Sequence, residues 1–133
     1  MATRPEYSAI PRSPVIQILN ANGTALQTLF TMGANGGILR SLWASSNDTT
    51  ARWLTLLRTD GTTDTLVLTL KFAAASATVP LRHLNFLDPT KLTKLDPYEI
   101  QWHLAAGHGF KVRMESAVTS GSEVAVFAEY GEF

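Results

Sequence analysis

Three histidines are the side chains of this sequence that could perform acid–base chemistry or bind a metal ion near neutral pH. His103 alternates with Trp102 and Leu104, so it faces away from the apolar side of its predicted strand. His108 lies between two glycines at a predicted turn, and His83 falls in an irregular stretch. A metal site needs its ligands held in one fixed geometry. Because a turn separates His103 from His108, the sequence predicts no metal site.

The other reactive groups also lack the patterns that catalysis requires. Paired carboxylates for general acid–base work would come from the acidic residues after position 87, and no spacing brings two of them together: Asp88, Asp96, Glu99, Glu115, Glu123, Glu129 and Glu132. The sequence has no Gly-x-Ser-x-Gly elbow, no lysine after the glycines at 33–37 that could make a phosphate-binding loop, and no cysteine. We therefore expect no catalytic residue, no cofactor and no enzymatic activity.

Aromatic side chains offer a different kind of site. Trp43, Trp53 and Trp102 could form a platform on which a sugar ring stacks. The alternation of Trp102 with Ile100 and Leu104 favours core packing for Trp102. A carbohydrate-binding or receptor-binding sandwich is therefore an alternative function, and it requires that Trp43 or Trp53 be exposed.

The composition indicates a single domain with a weakly charged surface. The chain has 133 residues, of which 45% are hydrophobic and 17% charged, and its 11 basic residues balance its 11 acidic ones. Such a chain lacks the positive charge that nucleic acids and anionic membranes attract, and residues 72–81, the longest largely apolar stretch, are too few to span a bilayer. We therefore expect neither a nucleic acid nor a membrane as a partner. The low charge instead favours a surface that other subunits cover.

Alternating apolar and polar residues separated by turns predict an all-β domain of about eight strands. The expected strands are 15–19, 24–31, 38–44, 52–57, 66–72, 98–104, 110–114 and 123–130. Turn residues join the first strand to the second, the fourth to the fifth and the sixth to the seventh, which predicts three hairpins. Residues 73–97 are expected to form a long irregular connection, with at most a short helix within 88–95. The pattern predicts a two-sheet β-sandwich with jelly-roll or Greek-key wiring.

The same alternation assigns the inward faces of three strands. On the fifth strand the expected inward residues are Leu66, Leu68, Leu70 and Phe72. On the last two strands they are Phe110, Val112 and Met114, then Val124, Val126, Ala128 and Tyr130. These side chains are the predicted core.

The N-terminus differs in composition from the rest of the chain. Residues 1–14 contain three of the six prolines, which fix the backbone and remove hydrogen-bond donors. We predict an extended arm over 1–14 and a single β-sandwich domain over 15–133. Tyr7, Ile10 and Arg12 are the expected contact residues of the arm, on a neighbouring subunit or on its own domain. Residues 1–15 have no apolar run of signal-peptide length, so export by that route is not expected.

Several segments resemble those of a group of small tailed-bacteriophage structural proteins. They are NGT at 22–24, GANGGILR at 33–40, ASSNDTTAR at 44–52, DGT at 60–62 and AEYGEF at 128–133. The similarity covers about residues 20 to 133. It implies a single β-domain that is a component of the virion and not an enzyme.

The resemblance also implies a place and partners for the protein. The simplest expectation is a capsid decoration or cement protein, made in the bacterial cytoplasm and bound to the surface of the assembled head. Its partners would be the major capsid protein or other virion proteins, and copies of itself, with a trimer as the first expectation. A position in the neck, the tail or a fibre base is the alternative.

Overall fold

The computed structural model describes residues 10–87 and 102–133. Within these ranges the chain forms ten β-strands and a single 3-10 turn at Asn20–Asn22, and no helix there is long and apolar enough to cross a bilayer. The strands are β1 (Ile10–Arg12), β2 (Val15–Ile18), β3 (Gln27–Thr31), β4 (Gly37–Ser46), β5 (Arg52–Thr59), β6 (Asp64–Phe72), β7 (Arg82–Asn85), β8 (Trp102–Leu104), β9 (Gly109–Met114) and β10 (Val124–Glu132). The all-β prediction is confirmed.

The strands form two antiparallel sheets that pack as a β-sandwich. In the six-stranded sheet, β10 lies between β4 and the edge strands β1 and β2, while β7 and β8 pair with the other side of β4. The four-stranded sheet has the order β3-β9-β5-β6. Partners are nested along the sequence, because β2 pairs with β10, β3 with β9, β4 with β7 and β8, and β5 with β6. This nested pairing is that of a jelly roll, one of the two expected wirings.

Two of the three predicted hairpins are wrong. The strands at 15–19 and 24–31 fall in different sheets, since β2 pairs with β10 and β3 with β9. The strands at 98–104 and 110–114 are also separated, since β8 pairs with β4 while β9 pairs with β3 and β5. In both cases the turn residues form a corner between the sheets. The β5–β6 hairpin is confirmed, and Gly61 in its turn has a φ of 101°.

Two short strands lie where the sequence indicates none. Strand β1 falls inside the predicted arm and pairs with β10, with Ile10 opposite Glu132 and Arg12 opposite Tyr130. Strand β7 falls in the predicted irregular connection and pairs with β4. Strands of 3 and 4 residues are too short for alternation to reveal. Tyr7 and the helix expected within 88–95 lie outside the described residues.

The core consists of inward side chains from both sheets. The largest fully buried ones are Phe72, Phe86, Phe110, Ile18, Leu39, Leu42, Leu54, Leu56, Leu87, Met114, Val112 and Val118. The predicted inward faces of β9 and β10 are confirmed, because every residue assigned to them is buried. Trp102 packs against this core with its ring edge-on to Phe110, at 5.2 Å between centroids.

The predicted inward face of β6 is wrong at one residue. Leu56 pairs with Leu68 but Leu57 pairs with Leu66, so Val67 is an extra residue in β6 and forms a β-bulge. The bulge puts Val67 and Leu68 against the core and turns Leu66 to the outer face, where it is 60% exposed. A single inserted residue reverses the alternation on one side of the bulge.

Candidate interaction surfaces

The outer face of the six-stranded sheet carries a row of aromatic and apolar side chains. Trp43 lies opposite Phe127, Phe127 lies opposite Val15, and Asn85 lies opposite Trp43 on the other side. Residues directly opposite each other in antiparallel strands share a face. The rings of Trp43 and Phe127 stack at 4.2 Å with 13° between their planes, and Val15 is 53% exposed.

The neighbouring row on this face is also uncharged. It consists of Gln17, Ala125, Ser45 and His83, which lie opposite one another in that order. The ring of His83 lies 5.8 Å from that of Trp43. We call the eight residues of these two rows the aromatic face. Exposed Glu129 follows Phe127 along β10, and at the other end Gln17 donates a hydrogen bond to Glu123. The apolar centre therefore has polar neighbours, as in protein–protein interfaces.

The outer face of the four-stranded sheet has the opposite character. Lys71 lies opposite Trp53 on one side, and the Glu115 backbone N–H donates to the Trp53 carbonyl oxygen on the other, at 3.0 Å. The next row contains Thr69, Thr55 and Arg113. Further along, Lys111 forms an ion pair of 3.1 Å with Asp64. We call this the charged face.

Hydrogen bonds join the side chains of the charged face. The Thr55 and Thr69 hydroxyl oxygens are 2.9 Å apart, the Thr55 hydroxyl also bonds Glu115 Oε1, and Arg113 Nε donates to the same oxygen at 3.2 Å. The Thr55 hydroxyl and then the Arg113 guanidinium lower the pKa of Glu115 below its usual value. Glu115 is therefore a carboxylate at neutral pH and not a proton donor.

Asp48 is a buried carboxylate that the sequence did not single out. Thr119 donates to it from its backbone N–H (2.9 Å) and its hydroxyl (2.7 Å), Thr50 donates its backbone N–H (2.9 Å), and Arg52 Nε donates at 2.8 Å. Burial raises the pKa of Asp48, but these hydrogen bonds outweigh it and lower the pKa to about 2. Perturbed carboxylates often mark active sites. Here both carboxylate oxygens of Asp48 accept hydrogen bonds from the protein, so the role of Asp48 is structural.

The three histidines lie in different elements: His83 in β7, His103 in β8 and His108 in the turn between β8 and β9. His103 is exposed on β8, and His108 Nδ1 lies 3.5 Å from Arg58 Nη2. His83 is exposed beside Trp43. Among residues 10–87 and 102–133 there is no group of three or more side chains placed to hold a metal ion.

The two described residues of the predicted arm contacts lie on the β1 edge of the six-stranded sheet. Ile10 is 42% exposed. Arg12 Nε lies 3.5 Å from Glu132 Oε2, and its side chain is half exposed. β1 therefore pairs with its own domain, while both side chains still face outward. Their contact with a neighbouring subunit stays a prediction.

The fold of this chain resembles that of a solved structure, although its sequence matches no known family. No family model and no curated protein matches the sequence. Among solved structures, the chain is similar to one from "Acidic stable capsid structure of Helicobacter pylori bacteriophage KHP30", with a TM-score of 0.62 and 11% sequence identity over 94% of this chain and 90% of that one. At this identity the likeness is one of fold, and it extends over nearly the whole length of both chains. This jelly roll is thus similar in fold to a chain of a bacteriophage capsid structure.

Proposed function

We propose that the protein is a structural component of a bacteriophage virion, where it binds the assembled head as a decoration or cement protein and catalyses no reaction. The observation that carries this proposal is the similarity in fold to a chain of a phage capsid structure, which extends over nearly the whole length of both chains. The segments that resemble small tailed-phage structural proteins point the same way. A place in the neck, tail or fibre base is the alternative within the same class.

The aromatic face is the surface proposed to contact the head. It combines stacked rings, an exposed valine and no Asp, Glu, Lys or Arg within its two rows. Burying apolar area drives most protein association, and interface centres are poor in charge and rich in aromatic residues. The charged face also exposes Trp53 and Leu66, but it carries the ion pairs of Lys111 and Arg113 as well, and it would remain in solvent.

A charge placed on the aromatic face is expected to weaken particle binding. Val15→Glu puts a carboxylate beside the ring of Phe127, where docking would bury it unpaired. We expect binding to purified heads to fall by about tenfold or more, measured by co-sedimentation. Val15 is exposed, so the free protein should fold normally, which circular dichroism checks.

Leu66→Glu is the matched control. Leu66 is 60% exposed against 53% for Val15, but it lies on the charged face. This variant should sediment with heads as the wild type does. Equal binding by both variants would refute the aromatic face as the docking surface. Absence of the protein from purified virions, measured by mass spectrometry, would refute the virion role itself.

We also propose that copies of the protein associate, with a trimer as the first expectation and Tyr7, Ile10 and Arg12 as contacts. Trimers match the local threefold positions of a head lattice. Light scattering after size-exclusion chromatography should then give about three times the 14.5 kDa of one chain. A mass of one chain at every concentration tested would contradict a preassembled trimer and leave assembly on the particle.

A further inference from the structure

Trp53 presents an aromatic ring that is only half covered by the fold. It lies on the charged face and is 48% exposed, whereas its neighbour Leu54 is fully buried in the core. An indole exposed to water forgoes the burial that normally stabilises a tryptophan. The exposed part of the indole therefore offers an apolar surface to a ligand.

Polar groups border the Trp53 ring on both sides. Across the strand pair, Lys71 Nζ lies 5.8 Å from the ring centroid. On the other side, the Glu115 side chain is 42% exposed and that of Arg113 is 39% exposed. The bonds from Thr55 and Arg113 both use Glu115 Oε1, so among the described residues Oε2 has no protein donor.

We propose that Trp53, Lys71 and Glu115 form a binding platform for a pyranose ring of a saccharide. The apolar C–H face of a pyranose stacks on an indole. An ammonium donates hydrogen bonds to ring hydroxyls and a carboxylate accepts them. The site therefore supplies one apolar surface, one donor and one acceptor in adjacent cross-strand positions, which is the combination that a sugar requires.

The contact between Lys71 and Trp53 does not block this binding. Cation–π contacts at exposed sites are weak. A sugar ring can displace the ammonium from the indole while the flexible lysine stem keeps it within reach of the sugar hydroxyls. Lys71 would thus exchange its contact with the indole for hydrogen bonds to the sugar.

A protein partner fits this surface less well. The platform is flanked by charged side chains that already pair with each other, and docking a protein would desolvate them. It also lies on the opposite sheet from the aromatic face, so a head-bound subunit would leave it accessible. The saccharide site is independent of the virion proposal.

The test follows the three tryptophan indole N–H signals by NMR while the protein is titrated with maltohexaose, chitotetraose and tetragalacturonate, each to about 10 mM. We expect one probe to shift the Trp53 signal saturably while those of Trp43 and Trp102 stay in place. Isothermal titration calorimetry, which does not need the lost Trp53 signal, should show that Trp53→Ala binds this saccharide about tenfold or more weakly than the wild type. Leu66→Ala, on the same face, is the matched control and should bind as the wild type does.

Two outcomes would overturn the proposal. One is the absence of a saturable shift of the Trp53 signal with all three saccharides. The other is binding that persists in Trp53→Ala. The virion proposal is tested separately, because Trp53→Ala should still sediment with heads and Val15→Glu should still bind the saccharide.

Discussion

Asp48→Ala is expected to lower the free energy of unfolding by about 4 kcal/mol, because it leaves a largely buried guanidinium without its partner. Arg52 is only 15% exposed in its side chain, and its Nε donates to Asp48. The Asp48 backbone carbonyl also accepts the Ala75 N–H at 2.8 Å. Through its hydrogen bonds with Thr119, Asp48 connects the β4–β5 loop to the β9–β10 loop. Both of these loops cross between the sheets.

Urea denaturation of the wild type and of Asp48→Ala measures this loss of stability. Asp60→Ala is the control, since the pKa of Asp60 is also lowered to about 2, first by the Thr63 backbone N–H, but Asp60 is exposed in a single turn. We expect a much smaller effect at Asp60. Equal losses at the two positions would show that local turn bonds, and not the junction of the two loops, explain the role of Asp48.

The same residue predicts how stability depends on pH. The pKa of Asp48 is about 2 in the folded protein against 3.8 ordinarily, so its ionisation stabilises the fold fully above the ordinary value. That contribution is lost as the pH falls through this interval towards 2. Asp48→Asn should therefore be less stable than wild type at neutral pH, with a difference that shrinks on acidification. A difference that is constant between pH 7 and pH 2 would contradict this assignment.

Phe110→Ala is the second substitution with a large expected effect, about 4 kcal/mol. Phe110 is fully buried on β9, with its ring 5.7 Å from Phe30 and 5.2 Å from Trp102. Phe30 in turn stacks on Tyr130 at 4.3 Å. These four rings come from both sheets, so removing the central one opens a cavity where the sheets meet.

Thermal and urea unfolding of Phe110→Ala and Phe110→Leu separate the cavity from the aromatic contacts. Leucine retains most of the apolar volume, and we expect it to cost less than about 2 kcal/mol. Trp53→Ala, at a ring that is about half exposed, should cost much less than Phe110→Ala. A loss for Phe110→Ala as small as that for Trp53→Ala would mean that the four rings do not hold the sheets together.

Local patterns predicted the strands of this protein better than their partners. The alternation at Phe110, Val112 and Met114 identified β9 and its buried face. The turn around His108 identified a reversal, but a corner between sheets and a hairpin use the same turn residues. Nested pairing is decided by contacts between distant segments, such as Val124 with Ile18, which no local pattern contains.

The candidate sites show the same division. The need for an exposed tryptophan could be stated from the sequence, yet only the pairing of β5 with β6 and β9 shows which groups surround Trp53. The role of Asp48 could not be predicted because its main partner, Thr119, lies 71 positions away. The spacing of Asp48 and Arg52, four residues apart, was the only local signal. Leu66 was misassigned because nothing in an apolar run marks a bulge.

The position of β10 has a consequence for how the protein is made. It is the last strand in the sequence, yet it is central in the six-stranded sheet, where it pairs with β4 on one side and with β1 and β2 on the other. Until the ribosome has delivered β10, one edge of the ten-residue strand β4 has no partner. Strand β4 must therefore wait for a partner that lies far along the chain, and pairing over such a sequence separation is slow. The nascent chain, rather than the folded domain, is the species most exposed to aggregation.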